Sequence, residues 1–372
     1  MRVALDVSAV PTKIAGAGRY VAELARRLPD VDVATTLVTR RGDTTRWHDL
    51  SPRAHVKGLV PNGRAPRLAY EAWRLGTSAT ARDVDLWHAP HYTMPRRGLT
   101  PTVVTIHDLT FFTNPEWHER SKVAFFRRAI THSAHHARVL ISVSDFSARL
   151  LASLIPDHAP VVVAPLGVEL TTFQPLDRGD EALLRDHGLR SDVPFIFFVG
   201  TVEPRKGLDV LLDAFELIAR DHADVELWLA GQAGWGEGPI EAKIKAHPSF
   251  ARIQRLGFVH DALLPALYRR ARAVTYPSRG EGFGLPVLEA MACGASVVTT
   301  RDTVMAEIAG DGARLVPVGD APALATSIDD VLESSEDERR TWAHRARERA
   351  EHFTWEHCVA LHLVAYEKAT VR

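Results

Sequence analysis

Cysteine is almost absent. Two occur in 372 residues, Cys293 and Cys358, each alone, which excludes a disulfide scaffold, a cysteine-rich zinc site and a CxxC redox pair. Any metal would have to use oxygen or histidine ligands. Long hydrophobic runs are lacking too, since the strongest, Val193–Val199, falls far short of the ~20 apolar residues of a membrane-spanning helix. The amino terminus, MRVALDVSAV, has none of the successive charged, apolar and small-residue regions of a secretory signal, so a cytoplasmic protein is expected. Lysine is scarce, 7 against 38 arginines, a skew that often follows GC-rich coding.

Net charge is also close to absent, with 45 Lys+Arg against 46 Asp+Glu, and no nucleic-acid partner is expected. The balance conceals an asymmetry. Residues 1–175 carry 22 basic and 15 acidic residues (+7), and residues 176–372 carry 23 and 31 (−8). A basic first half suits an anionic partner, such as a phospholipid surface contacted peripherally or a diphosphate-linked acceptor; a chance distribution of solvated charge accounts for it equally well.

What is present is a soluble, enzyme-sized composition, 46% hydrophobic and 24% charged, long enough for two domains. Branched apolar runs alternate with amphipathic stretches. Strands are expected at Val3–Val7, Val31–Val38, Val84–His88, Thr102–His107, Val139–Val143 and Val161–Ala164, with helices near 18–28, 66–79, 120–136 and 145–154. The proline- and glycine-punctuated stretch 172–190 reads as an interdomain linker. The rhythm then restarts at Pro194–Val199, so the reading is an α/β protein of two Rossmann-like βαβ domains, 1–175 and 190–352, facing a central cleft. A last helix over 353–372, with Trp355, Val359, Leu363 and Tyr366 on one face, is placed to cross back toward the first domain.

The richest segment is SRGEGFGLPVLEAMACG, Ser278–Gly294. Three glycines precede a helix starting near Leu285, which puts backbone N–H groups and a positive dipole end at one point and suits a phosphate. Glu281 in the loop and Glu289 one turn inside the helix would repel phosphate, so they are expected to accept hydrogen bonds from sugar hydroxyls. In FVGTVEPRKGLDVLLDAF a strand ends at Gly200, and Arg205 and Lys206 stand before a helix, where two cations can neutralise a diphosphate leaving group. The first βα turn carries Gly16 and Gly18 without the full dinucleotide fingerprint, which disfavours a nicotinamide cofactor. His107, at a strand end, can hydrogen-bond a sugar hydroxyl or act on an acceptor. His88 and His91 are more simply structural, and no spacing joins the three histidines into a metal site. DVDLW at 83–87 has paired aspartates but leads into an expected strand. Helix 120–136 mixes Phe125 and Phe126 with basic residues, a pattern that fits a membrane surface but better fits packing on a core.

With these residues the chain resembles the retaining glycosyltransferases of family four, a GT-B group that includes bacterial mannosyltransferases, over nearly its whole length. The resemblance implies that Glu289 binds the donor ribose and Glu281 the donor sugar. It also implies that Arg205, Lys206 and backbone amides near Phe283, Gly284 and Leu285 hold the diphosphate, with the base against Gly257–Val259. Gly16, Gly18 and Gly200 join the donor site, and His107, Glu281, Arg205 and Lys206 the catalytic set. The implied reaction is metal-independent and cofactor-free: hexosyl transfer with retention from a nucleotide diphosphate sugar, GDP-mannose first, to a glycan or lipid-linked acceptor. A UDP-sugar enzyme, a nucleotide-sugar epimerase and a non-catalytic sugar-nucleotide binder are the alternatives.

Overall fold

The computed structural model describes every residue except Lys13, Ala15, Leu99, Ser191, Trp235, Gly236 and Arg372. The chain forms two compact units, one of Met1–Gly167 together with the segment from Trp355, the other of Val168–Thr354.

The first unit is built on seven strands: β1 (Arg2–Asp6), β2 (Ala34–Arg40), β3 (His55–Val60), β4 (Leu86–Ala89), β5 (Thr102–Ile106), β6 (Val139–Ser142) and β7 (Val161–Val163). They pair in the order β3-β2-β1-β4-β5-β6-β7, every pairing parallel. The second unit has six: β8 (Phe195–Val199), β9 (Glu226–Ala230), β10 (Ile253–Gly257), β11 (Ala273–Tyr276), β12 (Val297–Thr300) and β13 (Arg314–Val316). Their order is β10-β9-β8-β11-β12-β13, again parallel. Helices cover both faces of such sheets, so the central strands are shielded on both sides: β4, β5, β6, β9 and β11 are buried at every position. Phe195 stacks on Trp228 with ring centroids 4.0 Å apart, a pair worth about 1 kcal/mol beyond area burial.

In both sheets the chain order reverses once, between β1 and β4 and between β8 and β11. Such a topological switch point opens a crevice beyond the carboxyl ends of the strands, where open α/β sheets bind ligands.

The expected linker at 172–190 is a correction. Residues 168–190 belong to the second unit, and a helix, Asp180–Asp186, forms there. Asp180, 1% exposed, receives both arms of the Arg269 guanidinium at 2.6 Å. A bidentate buried pair fixes the segment despite its proline and glycine content. The boundaries accordingly fall at 167/168 and 354/355 rather than at 175, 190 and 352. The strand expected from Val31 starts at Ala34, because Leu28–Asp30 forms a 3-10 turn and Asp32 takes φ 61°.

The terminal helix Trp355–Thr370 packs within the first unit, against β4–β7. Its buried face is centred on Trp355, Cys358, His362, Tyr366 and Ala369, and Leu363 is only half-buried. In helix Arg120–His136, Phe126 stacks on Phe111 at 4.5 Å and Arg127 Nε donates to the Phe111 carbonyl at 2.7 Å, so the helix packs inward and leaves Phe125 39% exposed. Among the described residues no helix is long and apolar enough to cross a membrane.

Candidate active site

The second unit's switch point gathers Arg205, Lys206 and Glu281. After β8 the chain passes Gly200 and makes a 3-10 turn over Pro204–Lys206, and Gly207, at φ 69°, starts the helix Leu208–Asp221. After β11 comes the loop that carries Ser278, Gly280 and Glu281. The two loops are fastened together. The Arg279 backbone N–H donates to the Arg205 carbonyl at 2.7 Å, Ser278 Oγ donates to the same oxygen at 2.9 Å, and Arg279 grips Asp209 with two N–H groups at 2.8 and 2.6 Å. A Cβ at Gly207 would lie 2.1 Å from the Pro277 carbonyl oxygen. Only glycine allows that approach in this conformation.

Glu281 is the hub. Its Oε1 accepts from Lys206 Nζ at 2.5 Å and from Tyr276 Oη at 3.2 Å, and its Oε2 pairs with Arg205 Nη1. Tyr276 also meets Lys206 Nζ, and Arg205 Nε reaches Glu203 at 2.8 Å. Burial alone would raise the Glu281 carboxyl, but the charges of Arg205 and Lys206 outweigh it and hold the group down at about 2. The ammonium of Lys206 is pushed below its ordinary range by burial, against the pull of Glu281. The two cations expected to meet a diphosphate thus face two carboxylates, Glu203 and Glu281. A carboxylate expected to accept from sugar hydroxyls accepts instead from protein donors.

Glu289 sits in the helix Leu285–Ala292, 6% exposed, and accepts from Tyr268 Oη at 3.2 Å. Gly284 starts that helix at φ 113°, and a Cβ there would lie 2.4 Å from Met305 Cε. Leu285 opens the helix and Pro286 has no N–H, so the amide of Leu285 is one that no helical carbonyl can reach. Phe283 is buried edge-on to Phe353 at 5.9 Å. Gly257 ends β10 at φ 64° with open space where a side chain would stand, and Val259 follows half-buried.

In the first unit, Gly16, at φ 50°, precedes the helix Ala17–Arg27, and Gly18 packs on Val10; Lys13 and Ala15 of this loop lie outside the described residues. His107 follows β5. Its Nε2 lies 2.7 Å from the Pro90 carbonyl, which can only accept, so Nε2 carries the proton and Nδ1 the lone pair. Burial lowers its basicity, and the ring is neutral. Tyr20 stands edge-on at 5.2 Å.

His88 is structural. Both of its nitrogens are engaged, Nδ1 by Tyr366 Oη at 2.8 Å and Nε2 by Thr105 Oγ1 at 2.9 Å. His362 Nδ1 donates to the Cys358 carbonyl at 2.7 Å. Its Nε2 therefore accepts from Tyr20 Oη at 2.7 Å, and Tyr20 accepts from Thr105 at 2.8 Å. The chain of bonds ties the terminal helix to β4, β5 and the first helix. Asp83 and Asp85 of the DVDLW segment pair with Arg2. Among the described residues one group, His222, Asp329 and Glu333, brings possible metal-ligand atoms within 4.8 Å of one another; it shares no residue with the expected site.

Sequence reasoning missed a second polar cluster, at the first unit's switch point. Asp6 ends β1, 5% exposed, and accepts from the Ser8 backbone N–H at 3.0 Å. Glu71, 4% exposed, accepts from Arg67 at 2.9 Å and from Thr93. Burial and the charge of Asp6 push the Glu71 carboxyl up to about 7. Asp6 at the end of the first strand was the available signal; Glu71 sits in a helix whose sequence gives none.

Two doubly wound parallel sheets in one chain are the GT-B architecture. Residues 14–172 match the model of Glycosyltransferase Family 4, and residues 180–349 that of Glycosyl transferases group 1. The O-antigen chain mannosyltransferase B of Escherichia coli is 29% identical over 99% of this chain and 100% of its own length. The serotype-specific mannosyltransferase WbdA of Escherichia coli is 30% identical over 67% of this chain and 31% of its own length. Among solved structures, sucrose-phosphate synthase from Thermosynechococcus elongatus superposes with a TM-score of 0.78 over 98% of both chains, at 21% identity. The chain belongs to the GT-B glycosyltransferases, with a family 4 amino-terminal half and a group 1 carboxyl-terminal half.

Proposed function

We propose that this glycosyltransferase moves a mannosyl group from GDP-mannose to a hydroxyl of a glycan or lipid-linked acceptor, with retention at the anomeric carbon and without a metal. The observation that carries the reading is the buried Arg205–Lys206–Glu281 cluster at the switch point of the second unit. The diphosphate takes the two cations, with the Leu285 amide beside them, and Glu281, relieved of part of its pairing, accepts from the sugar hydroxyls. Glu289 takes the ribose. In the transfer step the bond from the anomeric carbon to the diphosphate oxygen breaks as the acceptor oxygen bonds on the same face. The acceptor proton passes to the leaving diphosphate, whose charge Arg205 and Lys206 stabilise. His107, neutral with its lone pair on Nδ1, accepts a hydrogen bond from a sugar hydroxyl. Mannose is favoured because both Escherichia coli relatives are named as mannosyltransferases.

The test is a thermal-shift panel with GDP, UDP, ADP and dTDP at equal concentration, since a ligand that binds only the folded state raises stability by RT ln(1 + [L]/Kd). A rise selective for GDP, followed by mannosyl transfer to an acceptor, is expected. A rise with UDP alone overturns the donor and keeps the reaction class.

A further inference from the structure

The first unit contains a cavity of about 640 Å³ with no part in the reaction described. It lies at the amino edge of β4–β6, where Trp87, Thr102 and Arg138 stand at or before the strand starts. His107 and Asp6 mark the opposite, carboxyl edge. Arg96, Arg97, Arg138, His132 and His136 line it, and its lining includes no Asp or Glu. Among the described residues none of the three arginines has a carboxylate within 4.0 Å. In a protein with nearly as many bases as acids, three guanidiniums around one hollow whose described lining carries no Asp or Glu form a concentrated positive site.

The cavity is also held in shape. The segment bearing Arg96 and Arg97 is pressed on Gly76, where a Cβ would lie 1.8 Å from the Arg97 carbonyl oxygen, and a Cβ at Gly98 would lie 2.4 Å from the Gly76 carbonyl oxygen. The Arg96 backbone N–H donates to the Ala72 carbonyl at 3.1 Å, and the Arg97 guanidinium lies over the Trp73 ring at 4.9 Å. Arg138 gives one N–H to the Val371 carbonyl at 2.9 Å, and a guanidinium has five.

Two buried polar atoms have no hydrogen-bond partner among the described residues, the indole Nε1–H of Trp87, 1% exposed, and Nε2 of His132. An indole N–H can only donate, so its missing partner is an acceptor. His132 is kept less basic by burial and then by the neighbouring charges of His136 and Arg96, a crowding of positive groups that an anion would relieve.

We infer that this cavity binds a phosphate monoester, with Arg96, Arg97 and Arg138 holding the phosphate and the Trp87 side chain facing the body of the ligand. Phosphate offers acceptor oxygens to the guanidinium forks. The volume is far more than inorganic phosphate fills, and Trp87, Met94, Pro95 and Ala81 give the remainder an apolar wall. The phosphate could come from a soluble ester or from a lipid headgroup, and the experiment separates the two.

Glycerol 3-phosphate is titrated calorimetrically into the full chain, and the chain is sedimented with phosphatidylcholine vesicles with and without 20% phosphatidic acid. The double variant Arg96→Gln/Arg138→Gln and the single variant Trp87→Phe are measured alongside. Binding in the soluble arm, weakened at least tenfold by the double variant and a few-fold by Trp87→Phe, supports a soluble ester. Sedimentation only with phosphatidic acid, lost in the double variant, supports a lipid headgroup. The double variant should show the parent's GDP-induced thermal shift, which confirms that it is folded and that the donor site is separate. No binding by the parent in either arm, or binding equal in parent and variants, overturns the inference whatever the panel of nucleotides shows.

Discussion

Lys206 Nζ lies 2.5 Å from Glu281 Oε1, with both side chains only 10% exposed. Removing one partner of such a pair leaves an uncompensated buried charge, at a cost of about 3–5 kcal/mol. Glu281→Gln keeps the shape and part of the hydrogen bonding, so urea denaturation should show a loss toward the lower end of that range. The folded carboxyl stands at about 2 against an ordinary 4.5, so its stabilisation is complete above pH 4.5 and is lost as pH falls through 2. The stability gap between parent and variant should therefore narrow below pH 4.5. GDP should stabilise the variant more than the parent, because its diphosphate answers cations that Glu281 no longer neutralises. Equal stabilisation would separate the cations from the diphosphate.

Two glycines with nearly the same φ give a controlled comparison. Gly257 (φ 64°) has nothing within 4 Å of a would-be Cβ, whereas at Gly207 (φ 69°) the Pro277 carbonyl oxygen would lie 2.1 Å away. Gly257→Ala should cost only the left-handed backbone penalty, about 1–2 kcal/mol. Gly207→Ala adds a collision with backbone that has little room to move, and should cost at least twice as much and depress transfer. Denaturant midpoints of the two variants check the ratio.

Four histidines of the first unit, the buried His88, His107 and His362 and the half-buried His91, are held neutral by desolvation. Lowered to about 3 for His91 and about 4 for His362 from an ordinary 6.5, they take up protons more readily in the unfolded chain. Stability is therefore full above pH 6.5 and falls as pH drops below it. Hydrogen exchange at pH 5, corrected for intrinsic rates, should show the first unit opening before the second. Equal loss in both units would contradict the assignment.

The parallel two-domain plan was legible because parallel strands buried on both faces draw mostly on branched and aromatic residues, so β5, β6, β8 and β11 stand out as runs of them. β3 escaped because Lys57 and Gly58 interrupt it, and β13 because its three residues, Arg314–Val316, include an arginine, whereas the equally short β7 is all valine. Helix Asp180–Asp186 was hidden by the proline and glycines that flank it, Pro175, Gly179 and Gly188; what holds it is Arg269, almost 90 residues away in sequence. The glutamates and the Arg-Lys pair were visible as motifs, but their mutual pairing was not, since it depends on how two loops from separate strands meet at the switch point. His362 reads as a polar interruption of an apolar face. Only the bonds to Tyr20 and Cys358 explain how a histidine occupies a core position.

The terminal helix carries a consequence for synthesis. Tyr20 leaves the ribosome 342 positions before its partner His362. The second unit is contiguous, Val168–Thr354, and can close its core as soon as it emerges, whereas the first must wait with Tyr20 lacking His362 and His88 lacking Tyr366. The unit begun first is thus completed last, after the other is already folded. Chaperone binding to nascent chains that stop at Thr354 should concentrate on the first unit, and the eighteen residues from Trp355 should release it.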